Sequence, residues 1–213
     1  MNLIDEELIK LDNIMIKYIS ALKVLETQIE IINDDFKYIK KYNPIEHIKS
    51  RIKTADSIMK KLARKNYEFT LDNVEEHVKD IVGIRIVCTF KHDIYDLVNI
   101  IRKSDMIRVI NEKDYLKEPK DCGYMSYHLI VEVPVELIKE KVWVKAEIQI
   151  RTLAMDLWAS LEHKLCYKSK YCTDKIEKRI TDIIKELSII DDEMVELLQL
   201  ENEIRNEEKK GEL

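Results

Sequence analysis

From Ile4 onward the apolar residues Leu8, Leu11, Met15, Tyr18, Leu22, Leu25, Ile29, Ile32, Phe36 and Ile39 recur at alternating steps of four and three, and the pattern stops before Asn43-Pro44. This spacing predicts one long amphipathic helix, with Asn33-Asp34-Asp35 as the place where it could break. The same rhythm returns through Ile176, Ile180, Ile183, Leu187, Ile190, Met194 and Leu197, and predicts a second long helix ending in a charged tail. Each stripe needs a covering surface: the chain's own core, the other terminal helix, or another subunit. Residues 45 to 65 are expected to form a further helix with Ile48, Ile52, Ala55, Met59 and Leu62 on one face. The period then changes to two in IVGIRIVCTF, SYHLIVEVPV and VWVKAEIQI, which read as strands, with helices expected over 93–103 and 152–167. The expectation is an α+β fold whose sheet of about four to five strands is covered on one face by helices. It is a single domain over 1–213, with a helical region at 1–43, a core at 45–168 and a C-terminal helix at 174–205.

Composition narrows the class. Hydrophobic residues make up 46% and charged residues 36% of the 213 positions, with three glycines and three prolines, which favours long elements over disorder. A formal net charge of -5 gives no sign of a large basic surface for nucleic acid. Cys88, Cys122, Cys166 and Cys172 lack C-x-x-C spacing, and the opening MNLIDEELIK lacks the basic start and apolar run of a signal peptide. The four are read as reduced thiols of a cytoplasmic protein, with no segment apolar enough for a membrane.

Polar positions then suggest chemistry. Lys53, Ser57, Lys61 and Arg64 recur at steps of four, four and three, with Arg51 and Lys60 nearby. Such a face suits a polyphosphate, although a solvated lysine face is the commoner meaning of such a run. In VWVKAEIQIRT the period of two puts Trp143, Lys145, Glu147, Gln149 and Arg151 on one side, either a wet strand face or the floor of a site. Arg85 points away from the apolar side of its strand, and Asp80 stands just before it. Two carboxylates beside cationic side chains, Asp80 and Glu147, suit a magnesium ion carrying substrate phosphates. Ser126, His128 and Ile130 share one face of their strand. Gly123, one of only three glycines, precedes Tyr124 either as a plain turn or as a bend that presents the ring to a ligand.

With these residues in place, the chain resembles the synthetase domain of RelA/SpoT homologues in the single-domain form called a small alarmone synthetase. The resemblance covers roughly residues 45 to 168 and rests on RIKTADSIMKKLAR, VKDIVGIRIV, KDCGYMSYH and EIQIRTLAMDLWASLEHKLCYK, in that order. It implies a nucleotidyltransferase-like mixed sheet and a GTP pyrophosphokinase, which moves the β,γ-pyrophosphoryl group of ATP to the 3′-hydroxyl of GDP, GTP or GMP, releasing AMP. It further implies that Arg51 and Arg85 sandwich adenine, that Lys53, Ser57, Lys61 and Arg64 hold the ATP phosphates, and that Asp80 and Glu147 are catalytic and ligate Mg2+. Lys120, Tyr124, His128 and Gln149 would meet the acceptor, Tyr124 by stacking on guanine and Lys120 as one of the loop lysines with Lys113 and Lys117. A homo-oligomer, as a tetramer built through the terminal helices, is implied too, and hydrolysis of the product is not expected. His47, Lys49, Ser50 and Asp156 depart from the residues that product-activated members use in an effector cleft. A relative that pyrophosphorylates the tRNA 3′ end, and a silent nucleotide-binding scaffold, are the competing expectations.

Overall fold

The structure, a computed structural model, describes residues 3–40, 42–166, 169 and 171–211. Helix α1 (Leu3–Lys40) runs unbroken through Asn33-Asp34-Asp35. Its heptad rhythm places Leu11, Tyr18, Leu25, Ile29 and Phe36 in the core, joined by Ala21. These side chains lie across strands β1 (Ile45–Ile52), β2 (Val82–Cys88), β4 (Tyr127–Glu136) and β5 (Lys141–Thr152). Each such fully buried aliphatic side chain contributes roughly 1.5–3 kcal/mol.

The expected helix over 45–65 is two elements: residues 45–52 form β1, and α2 occupies Ala55–Arg64. A register shift between Ile45 and His47 explains the misleading spacing. Ile45 pairs with Cys88 and Ile48 with Ile86, so two isoleucines three apart reach the same face through a bulge rather than a helical turn. Thr54 then caps α2, its hydroxyl accepting from Ser57 N. Helix α3 (Leu71–His77) and strand β3 (Arg108–Asp114) were not expected from the pattern, β3 because it is a mostly polar edge strand.

The sheet is mixed, in the order β1-β2-β5-β4-β3, with β2 and β5 parallel and the other neighbours antiparallel. Val82, Ile84 and Ile86 of β2, Ala146, Ile148 and Ile150 of β5 and Leu129, Val131 and Val133 of β4 form its buried face. Helix α4 (Lys91–Arg102) stands beside α1 there, since Lys40 reaches Asp96 at 2.6 Å and Asp93 at 3.7 Å. Helix α5 (Leu153–Leu165) leaves β5 directly, and α6 (Asp174–Gly211) packs on α5. Trp158 Nε1 donates to Ile180 O at 2.9 Å, and Thr152 Oγ1 donates to the buried Asp191 Oδ2 at 2.6 Å. Beyond Asp191 the apolar stripe of α6 emerges, with Met194, Leu197, Leu200 and Ile204 exposed.

The reading of four reduced thiols is corrected for two of them. Cys166 caps α5, and Cys172, just before α6, stands at a Cα distance of 4.8 Å from it, within bridging range, where the pair is disulfide-bonded. Cys88 and Cys122 are free thiols. Among the described residues no helix is long and apolar enough to cross a membrane.

Candidate active site

Period two along β2 and β5 sends the alternate residues to the opposite, polar face. Register sets Gly83 beside Glu147 and Arg85 beside Gln149, while β1 places Arg51 beside Gly83 and β4 places His128 beside Gln149. A cleft of about 200 Å³ opens there between Arg51, Gly83, Arg85, Glu147 and Gln149. Arg51 lies over Gly83, where even a Cβ would stand at 3.6 Å from its Cγ and Nε, an ordinary contact, so the arginine's place over the cleft floor does not depend on glycine there. The resemblance had assigned adenine to the space between Arg51 and Arg85, and the structure puts both at this cleft.

A second cavity of about 460 Å³ adjoins it, bounded by Lys61, Lys65, His77, Lys79, Asp80 and Glu147. Asp80 is the anchor of this corner. Lys53, at the junction of β1 and α2, donates to Asp80 Oδ2, and Lys61 donates to Oδ1 at 2.7 Å. Burial alone would raise the Asp80 carboxyl, but the hydrogen bonds and charges of these two lysines outweigh it and hold it below its ordinary value. Two of the four residues expected on one helical face therefore do meet, Lys53 from outside the helix. Ser57 instead receives a hydrogen bond from Thr54 Oγ1 at 3.0 Å, and Arg64 is exposed on α2; neither lines the two cavities.

The segment from Tyr115 to Ser126, expected to meet the acceptor, is a closed loop. Gly123 N donates to Lys120 O at 2.7 Å, Lys120 N to Tyr124 O at 3.2 Å, and Tyr115 N to Ser126 O at 3.0 Å. Gly123 has φ +85°, and a Cβ there would meet Ile184 Cγ2 of α6 at 2.6 Å, so both conformation and the close approach of α6 require glycine. This bend delivers Tyr124 into a ring of hydrogen bonds. Arg151 Nη2 donates to the Tyr124 hydroxyl at 2.6 Å, that hydroxyl lies 2.8 Å from His128 Nε2, and His128 Nδ1 lies 3.3 Å from Glu147 Oε1. Gln149 Nε2 donates to Glu147 Oε2 at 3.1 Å, and Arg151 Nη2 closes the ring on Gln149 Oε1 at 3.3 Å. Burial raises the Glu147 carboxyl, but His128 and Gln149 more than compensate and its value lies below the ordinary one. Lys120 Nζ sits 4.7 Å from the centre of the Tyr124 ring and 4.9 Å from that of Tyr115.

Arg151 was placed on the polar face by its period but given no role; its hydrogen bonds to Tyr124 and Gln149 join it to the site. Of the positions expected to replace an effector cleft, Ser50 turns to the other face and donates to Glu26 of α1, as alternation from Lys49 demands. His47 Nε2 lies 4.0 Å from Asp156 Oδ2.

Asp80 and Glu147 face one cavity and feel each other's charge, which raises Glu147 slightly against the other effects. Among the described residues they belong to no cluster of three or more metal-ligating side chains. The pair fits a hard cation that takes most of its oxygens from water and from phosphate, as magnesium does.

Residues 50–171 match the family model described as a region found in RelA / SpoT proteins. The chain is 47% identical over 178 residues to the GTP pyrophosphokinase YwaC of Bacillus subtilis, covering 84% of this chain and 83% of that protein. Its fold matches the B. subtilis small alarmone synthetase 1 bound to its product pppGpp, with TM-score 0.80 and 33% identity over 89% of this chain and 97% of that one. The same synthetase bound to AMPCPP matches with TM-score 0.74 and 30% identity over 89% and 96%. The four ordered motifs, the mixed sheet and these matches agree: the chain belongs to the RelA/SpoT family and is similar throughout its core to the small alarmone synthetases.

Proposed function

We propose that this protein is a GTP pyrophosphokinase that makes (p)ppGpp, transferring the β,γ-pyrophosphoryl group of ATP to the 3′-hydroxyl of GDP, GTP or GMP. The observation that carries this is the placement of Asp80 and Glu147 on one cavity between a lysine corner and the ring that holds Tyr124. Relatives bound to AMPCPP and to pppGpp support the two nucleotide classes. The tRNA 3′ end has no support from the relatives named above.

Lys61 and Lys65, which line the second cavity, and Lys53, which donates to Asp80 at its edge, supply cations for the ATP phosphates, and Arg51 and Arg85 flank the cleft that suits the adenine ring. Tyr124 and Lys120 suit the guanine base and a phosphate of the acceptor. The acceptor 3′-oxygen forms a bond to the β-phosphorus of ATP, the bond from that phosphorus to the α,β-bridging oxygen breaks, and AMP leaves with the electron pair. Glu147, a carboxylate at neutral pH whose value lies below even the ordinary one, receives the proton of the 3′-hydroxyl. Gln149 and His128 hold its two oxygens in place for this step. Asp80 and Glu147 would hold Mg2+, which supplies charge neutralisation of the transferring group when bound. A cytoplasmic location suits such substrates.

The bare stripe of α6 at Met194, Leu197, Leu200 and Ile204 suits a second copy of the chain, and a homotetramer would cover it. Sedimentation equilibrium checks this, and a monomer at micromolar concentration would contradict it. For the activity, the protein is incubated with γ-labelled ATP, magnesium and GMP, GDP, GTP or tRNA in turn. Label on guanosine nucleotides is expected; label on tRNA alone would overturn the reading.

A further inference from the structure

Asp156 lies one turn after Thr152, whose hydroxyl caps α5 by accepting from Met155 N at 3.2 Å. A side chain in the first turn of a helix leans back toward its N-terminus, here toward the polar ends of β2 and β5. Its Oδ1 accepts from Arg85 Nη1 and from Arg151 Nη1, both at 3.3 Å, and its Oδ2 faces His47 Nε2 at 4.0 Å. The two arginines belong to different halves of the site. Arg85 lines the cleft beside Arg51, and Arg151 holds the Tyr124 hydroxyl and Gln149.

We propose that Asp156 is a positioning residue that couples the two nucleotide subsites, one carboxylate fixing both the guanidinium at the ATP cleft and the guanidinium that anchors the acceptor loop. Its side chain is 14% exposed and that of Arg151 5%, so neither charge is left to water. Burial first, and then the charge of Arg151 on the neighbouring strand, lower the Arg85 guanidinium from its ordinary value; the Asp156 carboxylate counters them in part. The Nε atoms of both arginines are buried without a hydrogen bond, so their planes are set through the terminal nitrogens that Asp156 grips. The inference rests on the assignment of ATP and guanine nucleotide to these two subsites.

The test is titration calorimetry of AMPCPP alone and of GDP alone into the wild-type protein and into Asp156→Asn, which keeps the shape and removes the charge. Loss of a charge-assisted hydrogen bond on each side predicts that both dissociation constants rise by about 10-fold. In an Arg85→Ala background the same change should weaken GDP but no longer AMPCPP, and in a Tyr124→Phe background AMPCPP but no longer GDP, a pattern that general loosening of the fold would not give. A shift in one nucleotide only, or equal shifts in every background, would overturn the proposal. If Asp156→Asn does not fold, Asp156→Glu carries the same cycles, since it keeps the charge and moves both guanidinium groups together. Wild-type protein that binds neither nucleotide would instead overturn the functional reading, and this inference with it.

Discussion

Asp80 and Glu147 border one cavity from opposite surroundings. Asp80 is gripped by two ammonium groups, from the β1–α2 junction and from α2. Glu147 is held by an imidazole and an amide, within a ring that reaches through the Tyr124 hydroxyl to the acceptor loop. The first corner is a store of positive charge, and an incoming polyphosphate can compete with Asp80 for its lysines. The second is a geometric device, where carboxylate, tyrosine and loop are set by one chain of hydrogen bonds. Under the proposed function, charge prepares one side for a donor rich in phosphate, and orientation prepares the other for a particular hydroxyl.

The contrast breaks most sharply at Glu147. Glu147→Gln keeps the shape and removes the proton acceptor, so transfer should fall by about 10³-fold or more while thermal melting falls only slightly, through loss of the anion that His128 and Gln149 hold. Near-normal turnover in that variant would contradict the assignment. Asp80→Asn should act differently: transfer falls by about 10²-fold and stability drops as well, by about 2 kcal/mol in a urea melt, because two buried-side ammonium groups lose their anion. Equal melting of the two variants would erase the distinction between charge corner and hydrogen-bonded ring. Tyr124→Ala should raise the acceptor KM by about 10-fold and the ATP KM little, from the lost base stacking; an equal rise in both would argue against guanine at this ring.

Acid sharpens the comparison at smaller scale. Both carboxyls lie below their ordinary values of 3.8 and 4.5, so they stabilise the fold above those values, and that contribution is lost as pH falls through the lower folded values. Urea melts between pH 3 and pH 6 should show stability declining from about pH 4.5 downward. Asp191 works against this, since burial raises it and protonation on acidification relieves a cost. Asp191→Asn, which can still accept from Thr152, should therefore make the acid decline steeper.

The strands that carry the floor were legible because each alternates without interruption: β2, β4 and β5 show core residues on one face and Arg85, His128, Glu147 and Gln149 on the other. Strand β1 was hidden by the bulge that gave its isoleucines a helical interval, and β3 by polar residues on an edge. Lys53 and Lys61 were paired correctly although the helix meant to join them begins only at Ala55, because a strand end and a helix turn converge on Asp80. The union of Arg85, Arg151 and Asp156 left no trace in spacing. It arises where α5 meets the sheet, and positions 71 residues apart come together there.

The proposed transfer breaks the bond between the β-phosphorus of ATP and the oxygen that bridges it to the α-phosphate. Incubation with magnesium, GDP and ATP labelled at the α-phosphate, with products resolved by chromatography, reads this directly. Labelled AMP is expected in equal amount to 3′-pyrophosphorylated GDP. Labelled ADP as the nucleotide product, or AMP with no pyrophosphorylated acceptor, would contradict it.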